Sequence, residues 1–122
     1  MVQSKINKAY QALSKLSEMS LPIKKARLIY LMMREVERHF QFSVQEEKKL
    51  LDEFKGTVHE DGRVSFDDAE AYMGFQTRLM ELVDSEVEWD LPPVVISEND
   101  LGSQSISASD MLALEDFVLF TE

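Results

Sequence analysis

The sequence predicts a mainly α fold: an elongated helical hairpin around a long central helix, with a small β-hairpin tip and an extended C-terminal segment ending in a short helix. Three observations carry this expectation. Between Ile23 and Lys55 there is no Gly or Pro, and apolar side chains recur at three- and four-residue intervals. Glu60-Asp61-Gly62, flanked by Val58 and by Val64 and Phe66, interrupts the helical period with the signature of a tight turn. Beyond about residue 85 the period changes again, to alternation. A length of 122 residues with 44% hydrophobic and 30% charged residues suits one domain, 1–122, with an ordinary core.

The first helix is expected over residues 4–18, where Ile6, Ala9, Tyr10, Leu13 and Leu16 share one face and Lys5, Lys8 and Lys15 fall outside it. Leu21-Pro22 ends it, and Pro22 suits the first turn of the next helix. That second helix, 22–55, carries Ala26, Ile29, Met33, Val36, Phe40, Leu50 and Phe54 on a repeating stripe, with polar Ser43 and Glu47 within it. Residues 28–33 are apolar on every side, so they demand cover from the first helix, from the C-terminal segment or from a second subunit. The hairpin tip occupies 57–66, after Gly56. Asp67 with Glu70 reads as a capping box opening a third helix, 68–85, whose buried face is Ala69, Tyr72, Phe75 or Gln76, Leu79, Leu82 and Val83. The third helix then returns along the second half of the long helix, and the first helix pairs with its first half.

In the segment 86–122, Val87, Trp89 and Leu91 alternate with Glu86, Glu88 and Asp90, as in an extended strand with one wet face. Pro92-Pro93 stops it, Val94-Val95-Ile96 continues extended, and 97–105 is a polar connector. Ser107 with Asp110 caps a last short helix from Ala108 to about Phe117, with Met111, Leu114, Phe117, Val118 and Phe120 on its apolar side.

Charge is distributed unevenly. Residues 1–55 sum to +4 and residues 56–122 to −14, giving the net −10, and no Lys or Arg follows Arg78. Direct nucleic-acid binding and anionic membrane surfaces are disfavoured, because both need clustered cations. The absence of Cys removes disulfides and thiolate metal sites. No apolar run reaches 18 residues and no signal-peptide pattern opens the chain, so a cytoplasmic location is expected.

Chemistry-bearing patterns are few. Residues 57–68 place Gly62, Val64 and Asp68 where a calcium loop has its glycine, apolar residue and last carboxylate, but Thr57 and His59 stand where anionic ligands belong. A hairpin turn followed by a capped helix explains the same residues. His39 and His59 lack partners at ligand spacing, no serine sits in a nucleophile elbow, and the glycines form no phosphate loop. No catalytic, cofactor or metal residue is therefore assigned, and a non-enzyme is expected. Met19, Met32, Met33, Met73, Met80 and Met111 read as fillers of irregular core gaps, or as an adaptable groove. Trp89 reads as part of the cover over the helical pair, and as a candidate interface anchor.

Three segments resemble a family of small uncharacterised phage and prophage proteins: Lys8-Ala9-Tyr10-Gln11-Ala12-Leu13, Leu21-Pro22-Ile23-Lys24-Lys25-Ala26, and the closing stretch from Ile106 to Phe117. The resemblance implies a phage-encoded protein in the host-cell cytoplasm and transfers no catalytic residue. The expectation is a non-enzymatic interaction or assembly factor whose partners are its own copies and a phage structural or host protein. Its expected interface is Ile23, Leu28, Ile29, Leu31, Met32, Val36 and Trp89. The alternative is an acidic inhibitor that mimics nucleic acid against a basic host defence or nucleic-acid-binding protein, through Glu81, Asp84, Glu86, Glu88 and Asp90.

Overall fold

Pro22 supplies a preset φ of −51° and lacks an N–H, so the dominant helix begins immediately after it. In the computed structural model, which describes every residue from Met1 to Glu122, α2 runs unbroken from Ile23 to Glu53. Its 31 residues span about 46 Å at about 1.5 Å per residue. Ile29, Met32, Val36, Ser43 and Leu50 form one buried stripe along it. Two helices cover that stripe in succession.

α1, Gln3–Ser17, lies antiparallel to the first half of α2 and buries Ile6, Ala9, Ala12, Leu13 and Leu16. Leu16 and Met19 line a cavity with Ala26 and Ile29 at one end. At the other end, Gln3 Nε2 donates to the carbonyl of His39 at 2.9 Å and Asn7 Nδ2 donates to Ser43 Oγ at 3.1 Å. The Tyr10 and Phe40 rings stack between them, with centroids 4.0 Å apart. Ser43 breaks the apolar stripe in sequence because Asn7 supplies its hydrogen bond in space.

The end of α2 is a Schellman turn. Gly56 N donates to Leu51 O at 2.8 Å and Lys55 N to Asp52 O at 3.2 Å. The left-handed residue is Lys55, with φ 55°, rather than Gly56. Gly56 is instead a matter of space: a Cβ there would meet Phe66 Cε1 at 2.9 Å and Leu51 Cδ2 at 3.0 Å. The tip follows as expected, β1 (Thr57–Val58) pairing antiparallel with β2 (Val64–Ser65) around Gly62 at φ 86°.

α3, Ala69–Val83, returns antiparallel along the second half of α2, with Gly74 beside Phe54 and Arg78 3.4 Å from Glu53. Its N-cap is Asp68 and not the expected Asp67. Asp68 has the extended backbone a cap requires, and its Oδ1 accepts from Ala71 N at 2.7 Å. This arm is two helices deep, so only Leu50 and Phe75 become buried apolar residues in it. Phe66 packs on Phe75 at 5.0 Å and on Tyr72 at 5.9 Å. Tyr72 itself, expected on the buried face, is half exposed.

The C-terminal third departs most from expectation. Val87, Trp89 and Leu91 do alternate in burial with exposed Glu86, Glu88 and Asp90, yet they join no strand ladder; one bridge, Val2 to Glu86, is the only pairing nearby. The ladder strand is β3, Val94–Ser97, and its partner is β4, Val118–Thr121, in parallel register from Val94↔Val118 to Ser97↔Thr121. Val118 and Phe120 therefore belong to a strand, not to the apolar side of a last helix. In the strand Val118 is buried and Phe120 half-buried while Leu119 and Thr121 are exposed, an alternation that the apolar run Val118-Leu119-Phe120 hides in the sequence. The connector contains α4, Glu98–Leu101, fixed by a reciprocal capping box between Ser97 and Asp100. α5, Ala108–Ala113, is shorter than expected because hydrogen-bonded turns carry the chain from Leu114 to Phe117 and into β4. Val94, Ile96, Leu114, Phe117 and Val118 pack with α1 and the first half of α2 into one 13-residue buried cluster. The core thus sits at one end of α2, and the arm projects from it.

Candidate interaction surface

The outward side of α2 keeps large apolar groups in water. Ile23 is 75% exposed, Tyr30 57%, Leu28 47% and Leu31 43%. Of the expected interface residues, three are corrected: Ile29, Met32 and Val36 are at most 1% exposed, inside the chain's own core. The reason is helical phase. At about 3.6 residues per turn they fall on the stripe shared with Ser43 and Leu50, which α1 and the C-terminal strands cover. The segment 28–33 is therefore covered on one side only.

The same outward side is basic. Lys24, Arg27, Arg34 and Arg38 are all exposed. Lys24, Arg27 and Arg34 form no ion pair, in a chain with ten more carboxylates than cations. The Arg34 guanidinium lies 5.8 Å from the centroid of the Tyr30 ring, a cation–π arrangement. Arg38 Nη2 donates to Glu35 Oε2 at 2.9 Å, and that bond, opposed by partial burial, holds the Glu35 carboxyl below the usual carboxylate range.

Trp89 takes the covering place of its two expected ones. It is half-buried, its ring meeting Phe117 edge-on at 5.2 Å and His39 at 6.3 Å, so it covers the core instead of standing free as an anchor. Its Nε1 is buried with no hydrogen-bond partner. Beside it runs a groove of about 430 Å3 between α2 and the 88–91 segment, with Leu31 and Leu91 as its apolar walls and Arg34, Arg38, Glu88 and Asp90 as its charged ones. His39, behind Trp89, is pushed below the ordinary histidine range, first by burial and then by the neighbouring Arg38 charge.

Glu81, Asp84, Glu86, Glu88 and Asp90 are all exposed, as expected of an acidic surface. They do not make one uninterrupted anionic band. Glu86 pairs with the N-terminal amine at 2.8 Å, Glu81 approaches Arg78 at 3.6 Å, and Glu88 and Asp90 share the groove with Arg34 and Arg38. Further acids meet α1, Asp116 with Lys5 at 3.3 Å and Asp110 with Lys15 at 3.5 Å.

The candidate calcium residues are occupied otherwise. His59 Nε2 contacts Ser65 Oγ at 2.7 Å, Asp61 accepts from Arg63, and Asp68 caps α3. No three His, Asp or Glu side chains gather as a metal-holding group. No helix is long and apolar enough to cross a membrane.

The outward face of α3 went unnoticed in the sequence. Met73 is 66% exposed and Met80 54%, seven residues apart, with Glu70, Thr77, Glu81 and Asp84 around them. Reading the methionines as one class hid this: Met32 is core, Met19 and Met33 are half-buried, and Met73, Met80 and Met111 face water. The available signal was phase, since Met73 and Met80 lie opposite Phe75, Leu79 and Leu82 on the helix. Compared with protein-family models, curated proteins and solved structures, the chain matches none.

Proposed function

We propose that this chain is a non-enzymatic interaction and assembly factor that associates through the outward face of α2. The observation that carries the reading is the exposure of Ile23, Leu28, Tyr30 and Leu31 within the first turns of α2, although α1 and the C-terminal strands already cover the opposite side. Isolated exposed apolar residues need no explanation, but four of them clustered on one short stretch of helix suit an association surface. At about 25 cal/mol per Å2, burying a few hundred Å2 of it contributes several kcal/mol before the entropy of association is subtracted. On this reading the protein works first with copies of itself. Its further partner is a phage structural or host protein, as the resemblance to phage-encoded proteins implies.

Acidic inhibition of a basic host protein remains the second reading, favoured by eleven carboxylates beyond Arg78. The intramolecular pairing of Glu86, Asp110 and Asp116 with cations weighs against it. Sedimentation equilibrium separates the proposals. Association at micromolar concentration that is lost in Leu28→Asp/Leu31→Asp supports the α2 face. A wild-type chain that stays monomeric at several hundred micromolar removes it.

A further inference from the structure

We infer that the surface receiving the outward face of α2 is the outward face of α3 on a second copy, so that the molecules join head to tail. This inference rests on the association proposed above and names its partner surface. The two faces complement each other in charge. On α2, Ile23 and Tyr30 alternate with the unpaired cations Arg27 and Arg34. On α3, Met73 and Met80 stand among Glu70, Glu81 and Asp84.

Spacing agrees as well. Ile23, Arg27, Tyr30 and Arg34 follow intervals of four, three and four, and so do Met73, Thr77, Met80 and Asp84. Each row is therefore one straight stripe of about three turns, and two such stripes interlock as ridges and grooves. Methionine suits the receiving side, because its flexible thioether adapts to aromatic and aliphatic neighbours such as Tyr30 and Ile23. Arg suits the opposite side, since its long apolar stem packs while the guanidinium reaches a carboxylate at the rim. Within one molecule the stripes cannot meet. α1 and α3 pack on the same buried stripe of α2, so the α2 face looks away from the arm's second helix, and α3 presents Met73 and Met80 on its far side.

Opposite-facing complementary patches make a heterologous contact. Such contacts extend into open series unless the rotation closes a ring, and they do not stop at a two-fold dimer. Mean mass is therefore expected to rise steadily with concentration, and to fall with added salt as charge pairing is screened.

The test uses two charge reversals in the full chain, Arg27→Glu/Arg34→Glu on α2 and Glu81→Lys/Asp84→Lys on α3. Each alone is expected to weaken self-association at least about tenfold, because like charges then face each other. An equimolar mixture is expected to regain association, since each reversed face finds an opposite one. All four substituted positions are exposed, and circular dichroism checks that each variant keeps the wild-type fold. Loss of association in the α2 variant without any change in the α3 variant would overturn the α3 assignment while leaving the α2 surface standing. Association unchanged in both variants, or a wild-type chain that stops at a dimer, overturns the head-to-tail arrangement; a monomeric wild type overturns the association reading too.

Discussion

The side-chain amide of buried Gln3 donates to the main-chain carbonyl of His39 at 2.9 Å, so α1 and α2 are joined by a polar bond inside an apolar interface. The same amide donates to Asn7 Oδ1 at 2.9 Å, and Asn7 passes the chain of bonds to Ser43. Such a seam sets the register of the two helices, because sliding α1 by one turn strands every member. Gln3→Leu leaves the His39 carbonyl and Asn7 Oδ1 without that donor, and is expected to cost about 1–3 kcal/mol in urea denaturation. A loss below a few tenths of a kcal/mol would show that the seam contributes nothing net.

Lys55 occupies the left-handed position of the Schellman turn that ends α2, with φ 55°. A glycine there avoids the Cβ contact that makes this region unfavourable. Lys55→Gly is expected to stabilise the fold by about 0.5–1 kcal/mol. A thermal midpoint that fails to rise contradicts the turn geometry.

Gly74 lies where a Cβ would come within 2.5 Å of Phe54 Cε1. Alanine gains about 1 kcal/mol in helix propensity over glycine, but here it displaces the ring that seals α2 against α3. Overpacking of this kind costs about 1–3 kcal/mol, so Gly74→Ala is expected to be net destabilising. Pairing it with Phe54→Leu should recover part of the loss, and additivity in the double variant would dismiss the contact.

Burial, and after it Arg38, whose Nη2 lies 3.4 Å from its Nε2, lower the pKa of His39; Glu35 at 4.0 Å opposes this, and Glu86 and Glu88 border the same cavity. Its folded pKa is below the unfolded one, so between the two the unfolded chain binds more protons. The contribution is fully present above the unfolded value and is lost as pH falls from there through the folded value. NMR titration of the imidazole should find a depressed midpoint. His39→Gln should flatten the part of the stability loss that falls in this window; an unshifted midpoint refutes the burial argument.

β3 and β4 form a two-stranded parallel pair whose inner residues enter the core. Ile96→Ala removes a fully buried side chain and is expected to cost about 2–5 kcal/mol. Val95→Ala, on the outer side, should change stability far less. Equal effects would mean the strand is turned the other way.

Local patterns were readable wherever one face and one period dominated. The gapless run after Pro22 foretold α2 within two residues at each end, and Asp61-Gly62 located the tip. The parallel pairing of Val94 with Val118 was not readable, since it joins segments 24 residues apart and depends on how two short elements return the chain. Ile29 and Val36 lay on the stripe that the spacing marked, whereas the burial of Met32 was not readable, because residues 28–33 are apolar on every side. Ser43 shows the converse: its polar side chain looked like a break in the stripe until Asn7 stood opposite it.

α2 passes undivided from the thick end of the molecule into the slender one, with no Gly or Pro at which it would kink. The helix acts as a lever without a joint. A molecule gripping the tip near Gly62 would exert torque on the far end, and seats at the two ends would reorient together, as fixtures on one rigid shaft.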